Sequence, residues 1–373
     1  MTVPSEAGVA MIRSVLLTGS VLIGCGAFVL FMRFGAADGL DVMDFVRASL
    51  ILVSTFWLAW GALQAVAGLT TRPFVPARHD GPLTSRIAVL VPIYNEDPAD
   101  TFPRIAAMEA SLRRTGFGDR FHIAILSDTR SDVAAKIEAQ AFDHLLQITG
   151  AEGRIFYRRR STNQGRKAGN IQDFFTRSGA AYDLAVILDA DSLMEGDTMV
   201  EMARRMEADP KLGLLQTLPQ IVKARSRFGR AQQFAAGFYS AIFCRGQAMM
   251  QGRTGPFWGH NAIVRVRAFA ESCGLPELSG QPPFGGHIMS HDYVEAALLA
   301  RAGWHVRVDD DLGGSFEEGP ENMVLHARRD RRWCQGNLQH ARLLLAPGLK
   351  PWSRFIFVQG ILAYLAPVIW LTF

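Results

Sequence analysis

Residues 185–194, AVILDADSLM, place four apolar residues directly before two carboxylates that stand one residue apart. Such an apolar run is typical of a buried strand in a parallel sheet, and the acids then emerge at its carboxyl end. In open α/β sheets, ligands bind at that edge. Asp189 and Asp191 offer hard oxygen ligands that suit Mg²⁺, which keeps waters and substrate phosphates in its shell. Taken alone, the pair also fits a solvated turn after a strand.

The sequence on either side of this pair alternates predicted strands and helices. Apolar runs and helical spacing place them, in chain order, at 86–92 (strand), 100–114 (helix), 121–126 (strand), 133–146 (helix), 155–157 (strand), 169–175 (helix) and 184–188 (strand). This β-α-β-α order favours an α/β fold with a parallel, doubly wound sheet. Such a sheet brings its ligand-binding loops to one edge.

Polar side chains follow all four predicted strands. They are Tyr94, Asn95 and Glu96; Asp128; Asn163, Gln164, Arg166, Lys167 and Asn170; and Asp189 with Asp191. Each alone is more often a turn or cap residue. Together they favour a nucleotide-diphosphate site, in which acids hold base, ribose or metal and Arg166 or Lys167 faces phosphate. The sequence contains neither a G-x-x-x-x-G-K-[ST] loop nor a strand–helix G-x-G-x-x-G, which disfavours P-loop ATP use and dinucleotide redox chemistry.

Three uncharged stretches indicate a multi-pass membrane protein. They cover residues 14–32, 48–71 and 355–373, each near the roughly 20 residues that cross a bilayer. A signal peptide is an alternative for the first stretch but does not explain the second; a buried soluble helix is the alternative for each. The loop between the first two is slightly acidic, whereas Arg72, Arg78 and Arg86 follow the second. The positive-inside rule therefore places the middle of the chain and the amino terminus in the cytoplasm.

These observations predict the domain organisation. We expect two transmembrane helices within 1–72, a linker at 73–85, a cytoplasmic globular domain at 86–340, an amphipathic interfacial segment at 341–354 and the start of a third transmembrane helix at 355–373. The net charge of +4 does not call for a nucleic-acid partner. The four cysteines are scattered without a C-x-x-C pair, which argues against a disulfide framework or a zinc site.

Two downstream clusters each allow more than one interpretation. Ser290-His291-Asp292 precedes a predicted helix at 293–302, so Asp292 is either an N-terminal cap or a general base aimed at the sheet edge. The charged run at 328–333 is either a solvated helix face or an interfacial anchor. A third interpretation makes it a cationic and aromatic contact for a diphosphate and a sugar.

The order of the motifs resembles a known family. The motifs are V-P-I-Y-N-E (91–96), Asp128, K-A-G-N (167–170), D-A-D (189–191), Gln216-Thr217, W-G-H-N (258–261), H-D (291–292) and R-D-R-R-W (329–333). From residue 86 onward the chain resembles the processive, membrane-embedded family 2 glycosyltransferases, which include cellulose and hyaluronan synthases. The S-H-D-Y-V-E-A, F-E-E-G-P-E-N and R-R-D-R-R-W-C-Q-G-N segments most resemble the branch that makes osmoregulated periplasmic glucans.

The resemblance implies a GT-A-like, nucleotide-sugar-binding domain inserted between transmembrane helices of the bacterial inner membrane. The implied reaction is inverting transfer of glucose from UDP-glucose to a growing β-glucan, β-1,2-linked in this branch, with Mg²⁺ or Mn²⁺. The implied roles are Asp292 as base; Tyr94, Glu96, Asp128, Lys167, Asp189 and Arg332 for the nucleotide sugar; Trp258, His260, Arg329 and Trp333 for the acceptor; and Asp189 and Asp191 for the metal.

The chain departs from the family pattern in two places. Arg329 stands where many members have Gln, which bears on acceptor binding, and the third apolar stretch ends the chain where processive members continue through several helices. We therefore expect either a fragment or helices supplied from elsewhere, with further glucan-synthesis or export proteins as possible partners.

Three other functions compete with this interpretation. The first is a related family 2 synthase of the cellulose or chitin type, with another product or another donor. The second is a non-catalytic scaffold that binds nucleotide sugar, although a scaffold has no need for Asp128, Asp189, Asp191 and Asp292 together. The third is a transporter, which the lack of suitable polar residues in the first two apolar stretches disfavours.

Overall fold

The structure is a computed structural model that describes residues 5–35, 37, 39–72 and 76–373. Residues 1–4 of the predicted membrane segment and residues 73–75 of the predicted linker lie outside the described residues.

The helices are α1 (Glu6–Gly35), α2 (Val42–Thr70), α3 (Pro98–Arg114), α4 (Asp132–Thr149), α5 (Arg166–Ser178), α6 (Gly196–Ala208), α7 (Arg227–Gln251), α8 (Val266–Ser272), α9 (His291–Arg301), α10 (Met323–Gln339) and α11 (Pro351–Thr372). Short 3₁₀ helices cover Gly118–Arg120, Gly179–Ala181 and His340–Arg342.

The strands form one large and one small sheet. They are β1 (Ile87–Ile93), β2 (Phe121–Ser127), β3 (Ile155–Arg159), β4 (Leu184–Ile187), β5 (Leu193–Met194), β6 (Leu212–Gln216), β7 (Gln220–Val222), β8 (Ala262–Arg265), β9 (His305–Val308) and β10 (Ser315–Glu318). The large sheet has the order β3-β2-β1-β4-β8-β6-β9, and the small sheet has the order β5-β10-β7.

The large sheet is mixed. The four predicted strands, β1 to β4, pair in parallel as the sequence predicts, and β6 pairs in parallel with β9. Strand β8, which the sequence pattern did not identify, is antiparallel to both β4 and β6. Because β8 runs the other way, the residues that precede it, 258–261, lie at the edge where the other strands end. The reversal thus adds a loop to the ligand-binding edge.

Both faces of the large sheet are covered, which confirms the doubly wound α/β fold. Side chains alternate between the faces along β1: Ile87 and Val89 pack with α3 and α6 residues, whereas Ala88 and Leu90 pack with α5, α8 and α9 residues. These four residues are fully buried. Full burial of an aliphatic side chain stabilises the fold by about 1.5–3 kcal/mol. The two apolar layers hold the strand ends in register and therefore position the loops.

The small sheet lies next to the acidic pair. Strand β5 begins two residues after Asp191, and β10 pairs antiparallel with β5 and in parallel with β7. This pairing brings Glu317 and Glu318 at the end of β10 toward the D-A-D loop. The sequence pattern had not identified these acids as neighbours of the pair.

Three helices, α1, α2 and α11, are long and apolar enough to cross a membrane. Leu16, Trp60 and Met250 form a buried cluster that joins α1 and α2 to α7. Helix α2 does carry one fully buried amide, Gln64, whose Nε2 donates to the backbone oxygen of Phe243 at 3.4 Å. Because this amide is engaged by α7 within the chain, it serves helix packing and does not by itself indicate a transport pathway.

The segment between α10 and α11 is a 3₁₀ helix followed by turns, and α11 begins at Pro351, four residues before the predicted span. Of the leucines in the predicted interfacial segment, Leu343 and Leu349 pack against Val294 and Phe357. Leu345, by contrast, is 88% exposed. Leu343 and Leu349 therefore face the protein, whereas Leu345 does not.

Helices α2 and α7 approach each other closely at two glycines. A Cβ on Gly246 would overlap the backbone oxygen of Gln64, and a Cβ on Gly68 would overlap that of Ile242. We expect Gly246→Ala to destabilise the protein by roughly 1–3 kcal/mol because one helix must move, measured as a lower midpoint of thermal unfolding in detergent. Gly237→Ala on the same helix, where no atom lies within 4 Å, is the control and should be neutral or stabilising. Equal midpoints for the two variants would contradict the close packing.

Candidate functional site

The carboxyl ends of the parallel strands border a cleft of about 930 Å³. Its walls include all six residues predicted to bind the nucleotide sugar and both predicted metal ligands, namely Tyr94, Glu96, Asp128, Lys167, Asp189, Asp191 and Arg332. The structure therefore brings these seven residues together, although they are distributed over 239 positions of the sequence between Tyr94 and Arg332.

Lys167 connects the acidic pair to the loop before β8. It lies in the first turn of α5, and its ammonium donates to the Asp189 carboxylate and, at 2.7 Å, to the backbone oxygen of Gly259. Desolvation by the cleft walls raises the pKa of Asp189, but the charges of Lys167 and His260 outweigh it and bring the pKa to about 2. Asp189 is therefore ionised throughout the physiological pH range.

Asp191 faces the same cleft as Asp189. Burial raises the pKa of Asp191, and the nearby Asp189 carboxylate raises it further. A divalent cation between the two carboxylates would relieve this repulsion. Within the described ranges, no three His, Cys, Asp or Glu side chains are grouped to hold a metal ion. Two carboxylates suit a cation that also takes ligands from phosphate and water, as Mg²⁺ does.

The D-A-D loop is held by the loop that precedes β8. The Asp189 N–H donates to Ser192 Oγ at 3.0 Å, and Ser192 Oγ donates to Asn261 Oδ1 at 2.6 Å. Asn261 is fully buried, and its Nδ2 donates to Ser315 Oγ of β10 at 2.9 Å. Asn261 thus joins the acidic loop to the small sheet, a structural role for the last residue of the W-G-H-N motif.

Sequence reasoning missed the partner of Asp128. Arg160 donates from Nε and Nη2 to the two carboxylate oxygens of Asp128, at 2.6 and 2.7 Å. The side chains are only 11% and 5% exposed. Arg160 is the last of three successive arginines, and the other two bond elsewhere, Arg158 to Asp173 and Arg159 to Thr129 and Asp132. The arginine run itself was the available signal, but the sequence does not show which of the three faces the site.

Further residues in the cleft wall were also missed. Arg104 of α3 forms an ion pair with Glu318 of β10 and donates to the Ala190 backbone oxygen at 3.3 Å. Asp97 and Asp100, at the start of α3, line the same cleft. Arg104 therefore supports the D-A-D loop in addition to Lys167.

Asp292 is the second residue of α9, whose N-cap position is occupied by Ser290. This geometry disfavours the interpretation of Asp292 as the N-cap. A Cβ placed on Gly259 would lie 3.7 Å from Asp292 Oδ2, so the carboxylate lies beside the backbone that accepts from Lys167. Burial raises the pKa of Asp292. Asp292 does not line the cleft itself, but a carboxylate of raised pKa close to a substrate site is suited to general-base chemistry.

The loop before Asp292 is attached to α10. The Met289 N–H donates to Gln339 Oε1 at 2.9 Å, and Gln339 Nε2 donates to the backbone oxygens of Gly285 and His287 at 3.1 and 3.0 Å. His340 Nε2 lies 3.1 Å from the backbone oxygen of Ser290. Helix α10 also carries the R-D-R-R-W motif. The same helix therefore positions both the Ser290–Asp292 cluster and the charged run at 328–333.

The residues predicted to bind the acceptor lie beside the cleft. His260 Nε2 is 3.4 Å from Glu317 Oε2, and burial raises the pKa of Glu317. The Arg329 guanidinium stacks over the Trp333 ring, 4.6 Å from its centre. Trp258 is held through its backbone N–H, which donates to Gln216 Oε1 at 3.0 Å. The arrangement provides a partly exposed aromatic and cationic surface next to the acidic pair.

Comparison with protein families agrees with this geometry. The model described as Glycosyl transferase family group 2 matches residues 184–373, which is half of the chain, and the one described as Glycosyl transferase family 2 matches residues 88–272. The chain belongs to the family 2 glycosyltransferases. The resemblance to this family that the motifs indicated is thereby confirmed.

Curated relatives of this family 2 glycosyltransferase share one description. The chain is 67% identical over 356 residues to a glucans biosynthesis glucosyltransferase H of Cereibacter sphaeroides, covering 95% of this chain and 60% of the relative. It is 44% identical over 364 residues to the protein of that description from Vibrio cholerae, covering 96% of this chain and 50% of the relative. The chain thus spans between half and 60% of the length of these relatives.

A solved structure shares the fold. A mannosyltransferase from Pyrobaculum calidifontis, solved in complex with GDP-Man and Mn²⁺, superposes with a TM-score of 0.62 over 87% of this chain and 83% of that one, at 18% identity. The α/β fold predicted from the sequence is therefore that of a known glycosyltransferase.

The ion pair between Asp128 and Arg160 provides a test of the site's construction. Arg160→Met leaves the Asp128 carboxylate buried without its partner, and we expect a loss of about 3–5 kcal/mol of unfolding free energy, measured by denaturant unfolding in detergent. Arg267→Met is the control, since the Arg267–Glu271 pair is largely exposed at 78% and 56% and such pairs contribute less than about 1 kcal/mol. A loss as small as that of the control would show that the pair does not stabilise the cleft.

Proposed function

We propose that this chain carries the glycosyl-transfer centre of a glucan-synthesising enzyme, which moves glucose from UDP-glucose to a growing β-glucan with inversion at the anomeric carbon. One observation carries the proposal: the residues predicted for nucleotide sugar and metal line a single cleft, and Asp292 lies beside it across Gly259. The description of the curated relatives as glucosyltransferases supports glucose as the transferred sugar.

The nucleotide would occupy the cleft between β1, β2 and β4. In this proposal Asp128, held by Arg160, contacts the uracil, and Tyr94 and Glu96 after β1 border the nucleoside. Lys167, Asp189 and Arg332 face the diphosphate. Asp189 and Asp191 would hold Mg²⁺ or Mn²⁺ on the diphosphate, and the cation supplies charge stabilisation to the departing UDP when it is bound. The mannosyltransferase of the same fold was solved with Mn²⁺.

The proposed chemistry is a single displacement. Asp292 takes the proton of the acceptor hydroxyl while that oxygen forms a bond to the anomeric carbon of glucose. The bond from that carbon to the UDP oxygen breaks, and UDP leaves with the electron pair. Arg332, whose charge already acts on Asp189, stabilises the charge that develops on the diphosphate. Holding donor and acceptor in line supplies a further part of the rate.

The acceptor would approach from the side of α10. Trp333, 39% exposed, presents an aromatic face under the acceptor sugar, and Arg329, His260 and Trp258 complete that side in this proposal. The stacked Arg329 takes the place of the usual Gln. The β-1,2 linkage is proposed from the resemblance to periplasmic glucan synthesis.

We place the chain in the bacterial inner membrane through α1, α2 and α11, with the catalytic cleft in the cytoplasm. The lengths and composition of these helices support membrane insertion, and the arginines after α2 support the orientation. A glucan acceptor, a lipid bilayer and further glucan-synthesis or export proteins are the partners of this proposal.

Asp292→Asn tests the proposed base. We expect UDP release from UDP-glucose to fall by at least about a hundredfold, the lower range of general-base contributions, with UDP affinity nearly unchanged because Asp292 lies outside the nucleotide cleft. The measurements are coupled-enzyme UDP release and calorimetric UDP binding. Asp132→Asn is the control, because Asp132 is 87% exposed on α4. Loss of turnover and binding together would indicate that Asp292 is structural.

Asp191→Asn tests the proposed metal site. Removing one of two carboxylates should weaken UDP binding in the presence of Mg²⁺ or Mn²⁺ by more than about tenfold. Binding in EDTA should change little, because no cation is then present to lose a ligand. An equal change in both conditions would point to a metal-independent role for Asp191.

A further inference from the structure

A histidine–glutamate pair on α9 flanks the proposed base. His291 and Glu295 stand four residues apart on α9, and His291 Nδ1 lies 3.1 Å from Glu295 Oε2. The Glu295 side chain is only 4% exposed. An ionised carboxylate this deep requires a charged or hydrogen-bonding partner. Burial lowers the pKa of His291, but the charge and hydrogen bond of Glu295, together with the Asp292 charge, outweigh burial and the net change is upward.

The pair acts on Asp292, the residue next to His291. Burial raises the pKa of Asp292, the His291 charge lowers it, and the Glu295 charge raises it again. His291 thus interacts electrostatically with both carboxylates of α9. When its ring is protonated, the three groups carry one net negative charge; without that proton the two carboxylates carry two.

The elements packed around α9 offer few other charged groups that could act on His291 or Asp292. From α5, Lys167 faces His291, but its ammonium is already shared by Asp189 and the Gly259 backbone oxygen. After α8, Cys273 Sγ lies 3.6 Å from the Glu295 backbone oxygen, and burial raises the pKa of this thiol so that it stays neutral.

Tyr293, beside Asp292, likewise has a raised pKa because of burial and remains a neutral phenol. On the side of α10, His340 is fully buried, burial lowers its pKa to about 4, and it contacts the Ser290 backbone. His340 is therefore neutral near pH 7. Of these surrounding groups, His291 is the one positioned to supply positive charge to Asp292.

We propose that His291, held as an imidazolium by Glu295, is a positioning residue that keeps Asp292 ionised and ready to accept a proton near neutral pH. This inference rests on the proposed function, which assigns Asp292 as the base. His291 and Glu295 would thus contribute to catalysis without contacting the sugar or the nucleotide.

The inference predicts an effect that depends on charge. In His291→Gln, Asp292 and Glu295 remain as two buried carboxylates without the cation, so ionisation of Asp292 should require a higher pH. Adding Glu295→Gln removes the repelling charge, and ionisation should return toward the wild-type pH. A change that merely disturbed packing would not be reversed by a second buried substitution.

The test is the pH dependence of UDP release by the membrane-reconstituted full chain with UDP-glucose. We expect the acidic limb of the His291→Gln profile to move up by about one pH unit or more, the size of a neighbouring-charge effect, and to return at least halfway in His291→Gln/Glu295→Gln. His305→Gln is the matched control, because His305 also lies 3.1 Å from a carboxylate, that of Asp209, but at the amino end of β9. Its acidic limb should coincide with that of the wild type.

A second measurement separates this inference from the proposed function. NMR titration of the His291 ring should give a midpoint above that of an unperturbed histidine, falling in Glu295→Gln. If the midpoints are as predicted but the wild type shows no turnover, the transferase proposal and the role of His291 in catalysis are refuted, while the pairing of His291 with Glu295 stands. Turnover with an unmoved acidic limb in His291→Gln, or a shift that the double variant does not reverse, would overturn the coupling.

Discussion

The arrangement of the cleft depends on the contact of one ammonium with two loops. Lys167 bonds to Asp189 at the end of β4 and to the Gly259 backbone before β8, and Asp292 lies against Gly259 from α9. Without this cation, Asp189 and Asp191 would repel each other with less compensation. A single side chain therefore stabilises the acidic pair and sets its position relative to the proposed base.

The mixed sheet makes this contact possible. Because β8 is antiparallel, the W-G-H-N loop reaches the edge where β1, β2 and β4 end. Helix α10 then joins the remaining parts, since Gln339 holds the loop before Asp292 while Arg332 reaches the cleft. The residues proposed for donor, base and acceptor are consequently connected through α10, which a short segment joins to the apolar helix α11.

The parts of the fold and the site that depend on local sequence patterns could be predicted from the sequence. The apolar runs of β1, β2 and β4 and the acids that follow them were recognisable because buried parallel strands and their loops have a characteristic composition. Strand β8 has four residues and follows a long helix, so no periodicity revealed it. Arg160, Glu317 and Gln339 owe their places to tertiary contacts between distant segments, which one sequence does not display. The antiparallel strand and the roles of these three residues therefore required the structure.

Transfer of glucose into polymer tests the central claim most directly. The protein would be reconstituted in lipid bilayers and supplied with UDP-glucose labelled in the sugar, with Mg²⁺ or Mn²⁺. The account predicts that label enters a β-glucan in amounts equal to the UDP released, and that UDP-GlcNAc does not replace UDP-glucose. Nucleotide binding without turnover, or release of free glucose in place of polymer, would contradict a glucan-forming transferase.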